Sequence, residues 1–130
     1  MDEGRIRKKD GFTMVMNEIA RDSRLSLRAK GVYLLVQSFI TMPDREWQKK
    51  DFVKMVHESR NVFDGAWDEL KRCGYIKKHQ YALGRGFRVE FELLDKAEDG
   101  PHTFYHNAEG KITRVESYEE KNECLKNEHS

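Results

Sequence analysis

The sequence predicts an α+β fold: three helices, then a β-hairpin, then a short C-terminal extension. Three observations carry this. Ala29, Val32, Tyr33, Val36, Phe39 and Ile40 recur at spacings of three and four, as do Phe63, Ala66, Trp67 and Leu70, which is the period of helices with one apolar stripe. Phe87, Val89, Phe91 and Leu93 alternate with Arg88, Glu90 and Glu92, the period of a half-buried strand. Between the second and third helical stretches lies only the turn Glu58-Ser59, short enough for a helix-turn-helix. A hairpin directly after the third helix makes the predicted architecture a winged helix-turn-helix, because the hairpin's apolar face needs the helices to cover it.

In chain order, residues 1–11 (MDEGRIRKKDG) read as a basic flexible arm containing Arg5, Arg7, Lys8 and Lys9, either disordered or able to follow a phosphate backbone. Residues 12–95 are the expected domain. It begins with a short extended stretch, FTMVM, and one helical turn. Ser26 supplies the hydroxyl that caps the first long helix, and Pro43 ends it. Leu27, Leu34 and Leu35 give that helix a second apolar face, so it is expected to be buried on two sides, as the central helix or also as a dimer contact. A second helix is expected over residues 49–57, with Phe52, Val53, Met55 and Val56 apolar. Ser59 caps a third over residues 60–73, and Gly74 suits the left-handed position after it. Tyr75–Tyr81 and Phe87–Leu94 are the hairpin strands, joined through Gly84-Arg85-Gly86. Residues 96–130 are a polar, acidic extension with a small hairpin within residues 101–115 and a charged end.

Composition agrees with a compact body and a solvated tail. Hydrophobic residues are 38% of the chain and charged residues 36%, against a usual charged share of about 25%. Residues 1–95 hold 19 Lys and Arg against 15 Asp and Glu, and residues 96–130 hold 5 against 8. A mildly basic body is compatible with a nucleic-acid partner. Cys73 and Cys124 are far apart and form no CxxC, which predicts neither a zinc framework nor a secreted disulfide scaffold; Cys73 reads as a small buried hydrophobe. There is no signal-peptide pattern and no long apolar run, so a cytoplasmic protein without a membrane partner is expected.

The stretches GFTMVMNEIARDSRLSLRAKGVYLLVQSFI, FDGAWDELKRCGYIKKHQ and FRVEFELLD resemble the helix-turn-helix proteins encoded on phages, plasmids and conjugative elements of Gram-positive bacteria. They are also similar to the N-terminal winged-helix domains of DnaD-like replisome organisers and plasmid replication initiators. The resemblance covers about residues 11–95. It implies a winged-helix fold, binding to origin or operator DNA, and self-association. It brings no catalytic residue with it.

Within that fold, side chains near the start of the third helix are placed to read the major groove. Arg60 matches guanine and Asn61 matches adenine by donor and acceptor pattern, Asp64 can accept from a cytosine amino group, and Lys71 completes the helix's candidate set. Candidate backbone contacts are Lys49 and Lys50 at the start of the second helix, and Lys77, Lys78, Arg85 and Arg88 on the wing. Residues 77–90 hold those four cations and one acid, Glu90. Gly65 lies inside a helix, at a cost of roughly 1 kcal/mol relative to Ala, so a close approach by the second helix or by DNA is expected there. Trp47 and Trp67 read as core aromatics.

No P-loop, GxSxG or HExxH occurs, and His102, His106 and the distant Cys124 do not make a metal site. No enzyme activity, cofactor, metal or small-molecule substrate is expected. The expected function is sequence-specific binding of double-stranded DNA, in mobile-element replication initiation or transcriptional regulation. Asp64 and Asp68 share the exposed face of the third helix and oppose phosphates. They support the alternative, a protein-interaction module that docks as a regulator or inhibitor on a replication or defence protein; a homodimer is a separate expected partner.

Overall fold

The computed structural model describes residues 13–40 and 46–118. The basic arm, Pro43 as a helix stop and the charged end from residue 119 lie outside the described residues. Among these residues there are four helices, α1 (Asn17–Ala20), α2 (Leu27–Ile40), α3 (Lys49–Val53) and α4 (Arg60–Arg72). They are followed by β1 (Ile76–Ala82), β2 (Phe87–Leu93), β3 (Thr103–His106) and β4 (Ile112–Glu116). The strands form one mixed sheet in the order β2-β1-β3-β4, antiparallel at β1–β2 and β3–β4 and parallel at β1–β3.

The helix caps follow from the side chains. The Ser26 hydroxyl accepts from the Ala29 amide at 3.1 Å and Ser59 accepts from Val62 at 3.3 Å. Ser26 also ties the two long helices together: its amide and hydroxyl both donate to the Glu69 carboxylate on α4. Gly74 follows α4 with φ +90°, as its left-handed role requires. α3 is shorter than expected. Only Phe52 of its apolar side is buried, and the chain tightens at once, the Met55 amide donating to Phe52 at 3.0 Å. So little burial does not sustain further turns.

The core lies between α2, α4 and the start of the sheet. Ala29, Val32, Tyr33 and Val36 meet Phe63, Ala66, Trp67 and Leu70, with Ile19, Phe52, Tyr75 and Ile76 filling the ends. Phe39, Trp47 and Phe52 form an aromatic cluster at the α3 end, with Trp47 4.8 Å from Phe39. Within the chain the second apolar face of α2 is only partly covered: Leu35 packs against the core, whereas Leu27 is 88% exposed and Leu34 is also exposed. Cys73 is buried, and it is disulfide-bonded, which its spacing in the sequence does not predict.

The link from β2 to β3 crosses the start of β1, because β3 lies on the far side of β1 from β2. Five hydrogen bonds seat this crossing. The Tyr33 hydroxyl donates to Leu94 at 2.9 Å, the Glu98 amide donates to Gly74 at 3.0 Å, and the Ala97 amide donates to Glu18 at 3.1 Å. The Lys77 ammonium donates to the carbonyls of Glu98 (3.0 Å) and Pro101 (2.8 Å). A Cβ at residue 74 would collide with the Glu98 backbone, so the glycine serves the crossing as well as the helix end. Asp22 fixes the turn before α2. It accepts two bonds from the Arg24 side chain and one from the Tyr75 hydroxyl at 2.7 Å. The Arg24 pairing, with Tyr75 adding to it, holds the Asp22 carboxyl down at about 2. No helix among the described residues is long and apolar enough to cross a membrane.

Candidate nucleic-acid interface

α4 packs against one face of the sheet through the Trp67 ring, which meets Phe91 edge-on at 5.0 Å. Cross-strand register assigns Ile76, Lys78, Gln80, Phe87, Val89, Phe91, Thr103, Tyr105, Arg114 and Glu116 to this face, since directly paired residues point the same way. The junction of α4 with that face collects cations. Lys49 reaches over from α3, 5.2 Å from the centre of the Trp67 ring and 3.1 Å from the Asp64 carboxylate. Lys78 stands opposite Phe91 on β1. Lys71, one turn beyond Trp67, is half-buried. Burial first, and then the nearby Lys78, push its ammonium below the ordinary lysine range, with a smaller contribution from Lys49. His102 is pushed down by burial and then by Lys71. Lys78 and, more weakly, Lys49 repel the Lys71 ammonium, while Asp68 and Glu116 partly offset that repulsion; an added anion would relieve the rest.

The carboxylates on α4 are engaged. Asp64 takes Lys49 and, at 3.6 Å, the Arg60 guanidinium; Asp68 takes Arg72 at 3.0 Å. Asp64 therefore joins α3 to α4 and orients two cations instead of standing alone against a phosphate. Arg60 and Asn61 are exposed on the first turn of α4. Gly65 is exposed with nothing within 4 Å of a Cβ added there, so the expected close approach of the second helix is absent.

The other candidates are spread out. Lys50 and Arg85 are exposed, and neither has an ion pair among the described residues. Lys77, expected on the wing surface, is buried, with its ammonium committed to the β2–β3 crossing. It belongs to the alternate register set of β1 and has no surface to offer a phosphate. Arg88, also expected among the backbone contacts, points away from α4. It pairs with Glu90 at 3.1 Å and lies 5.1 Å from the Tyr81 ring centre.

Two groups were missed by sequence reasoning. On the α4 side, the Arg114 guanidinium lies 4.1 Å over the Tyr105 ring. On the opposite face, Tyr81 stacks on His106 at 4.3 Å and His79 on Phe104 at 5.0 Å. His79 Nε2 is 3.0 Å from Glu92 and its Nδ1 is 3.1 Å from His106 Nε2. A proton on His79 Nε2 donates to the carboxylate, which leaves His79 Nδ1 to accept from His106 Nε2. The histidine group depends on the parallel β1–β3 register, for which no local pattern in the sequence gives a signal, whereas the Arg114–Tyr105 contact is made within the β3–β4 pair.

The chain matches no family model, and no curated protein or solved structure matches it.

Proposed function

We propose that this chain is a winged helix-turn-helix protein that binds double-stranded DNA, with α4 as the reading helix and the β1–β2 hairpin as the wing. The succession of long helix, short helix, tight turn, helix and hairpin supports the fold. The observation that carries the binding is the convergence of Lys49, Lys71 and Lys78 where α4 meets the sheet. Phosphates seated there would bring the exposed Asn61, and Arg60 beside its Asp64 partner, toward base edges. Replication initiation or transcriptional regulation in a mobile element is the corresponding role. The test is a titration of the full chain with duplex DNA over a salt series. Each phosphate contact contributes a slope of about 0.9 in log K against log salt. The variant Lys71→Gln with Lys78→Gln should flatten the slope by roughly two contacts; an unchanged slope would overturn the proposed interface.

A second reading rests on a different surface. A groove of about 480 Å³ runs between α2 and α4, lined by Leu27, Gly31, Leu35, Val62 and Ala66 among others. The exposed Leu27 supports a protein partner for that side, either a second copy or a replication protein. Loss of partner capture in Leu27→Glu with unchanged DNA affinity would separate this reading from the first.

A further inference from the structure

Phosphate binding leaves part of the α4-facing sheet without a role. Register sets Val89, Gln80, Tyr105 and Arg114 in one row across all four strands. The neighbouring row, nearer α4, holds Phe91, Lys78, Thr103 and Glu116. Phe87, farther out on β2, is 60% exposed, and Phe91 is 40% exposed. Arg114 is mostly exposed, its plane resting on Tyr105. Two exposed phenyl rings and a stacked guanidinium, alternating with Lys78, make an apolar and cationic strip.

A duplex backbone does not use such rings, because the π faces of paired bases are closed within the stack. Unpaired bases offer those faces, and they stack on aromatic side chains and on arginine planes. The opposite face of the sheet is also rich in rings, but its rings pack against one another and Glu90 and Glu92 stand among them. Among the described strand residues the α4 side carries one carboxylate, Glu116, which accepts from Tyr105 and pairs with Arg114, against two on the opposite face, so a polyanion is better received on the α4 side.

We infer that Phe87, Phe91 and the Tyr105–Arg114 pair receive unpaired bases of a single-stranded nucleic acid whose phosphates pass Lys78 and Lys71. The inference rests on the proposed nucleic-acid reading and adds the strand form that the site takes. A protein that grips a duplex at α4 and holds an opened strand on the adjoining sheet would stabilise melted DNA. Single-stranded RNA presents the same rings and phosphates.

The test is fluorescence anisotropy of the full chain with labelled oligothymidylate and oligouridylate of about 15 nucleotides, and with a duplex of the same length. Phe87→Ala and Arg114→Ala should each weaken single-strand binding by roughly fivefold or more, and leave duplex affinity within about twofold. Arg114→Lys keeps the charge and removes the plane, so it should show the same selective loss. Its melting temperature, compared with that of the unmodified chain, checks the fold. Tighter binding of one oligonucleotide identifies DNA or RNA as the source of the strand. Equal losses on both forms, or no loss on either, overturn the inference and leave duplex binding standing. No binding of the unmodified chain to any of the three removes both.

Discussion

On its α4 side the sheet presents Lys78 and Arg114 among Phe87, Phe91 and Tyr105, and α4 covers only the inner end. On its other side it presents His79, Tyr81, Phe104 and His106, bound to one another and to Glu92, with Lys77 buried at the inner end. The two faces have similar numbers of rings and opposite uses for them. On the second face the rings satisfy each other and lock β1 to β3. On the first, Phe87 stays open, Phe91 is half-covered by Trp67, and Tyr105 lies under Arg114 with its hydroxyl on Glu116. Ring content alone does not mark a binding surface; what matters is whether the rings and charges already have partners within the chain.

The largest expected effect comes from removing the contact that gives the first face its cover. Trp67→Ala should cost roughly 3–5 kcal/mol by chemical denaturation, since the buried ring packs on Phe63 and Phe91 and lies under the Lys49 ammonium. A variant with unchanged stability would show that α4 does not depend on the sheet. Acid comes next, because Asp22 holds Tyr75 at the start of β1 and so serves both faces. Its folded value, about 2 against an ordinary 3.8, means that its stabilisation is present above pH 4 and is lost as pH falls toward 2. That amounts to roughly 2 kcal/mol at most, since solvent reaches the pair. Asp22→Asn should remove this part of the acid sensitivity, so identical acid profiles for the two proteins would contradict the assignment.

Lys77→Met tests the inner end of the second face. It keeps the apolar stem and leaves the Glu98 and Pro101 carbonyls without their donor, at roughly 1–3 kcal/mol in thermal or urea melts. DNA affinity should not change; a flattened salt slope would return Lys77 to the interface. The smallest effect compares carboxylates on the two faces. Glu116→Gln removes an anion near Lys71 and Arg114 and should tighten DNA binding by up to ~1 kcal/mol. Glu92→Gln, on the opposite face, should leave affinity unchanged. Equal gains from both would mean that only net charge matters, and that the faces are not distinct.

Much of the framework was legible because it is local. Ser26 and Ser59 cap the helices that the stripes predict, Gly74 takes its left-handed φ, and the β2 alternation sorts Phe91 from Glu90 and Glu92. The small second hairpin was legible for the same reason. Its place in the sheet was not. The pairing of Lys78 with Thr103 spans residues with no shared periodicity, and without it neither the burial of Lys77 nor the company of Tyr105 can be foreseen. The candidate site was read in part. Lys49, Lys71 and Lys78 converge, whereas Arg88 and Lys77 were grouped with them only because they are near in sequence. Strand alternation places Lys77 and Arg88 on the face opposite Lys78, a distinction that a count of cations along the hairpin discards.

The crossing from β2 to β3 beneath β1 also bears on how the chain assembles. The β1–β2 hairpin closes a short loop, whereas β3 must find β1 after the connecting segment has passed Gly74. Loop closure favours the local pairing, so the hairpin and helices form an early unit and β3–β4 add to its open edge afterwards. The late unit is held by the Lys77 clamp and the histidine contacts, not by the main core. Its amide protons should exchange with solvent sooner than those of α2 and α4, at a free energy below that of global unfolding. A strand that occupies or vacates the Tyr105–Arg114 row would then alter protection first in β3 and β4, where the fold has least to lose by opening.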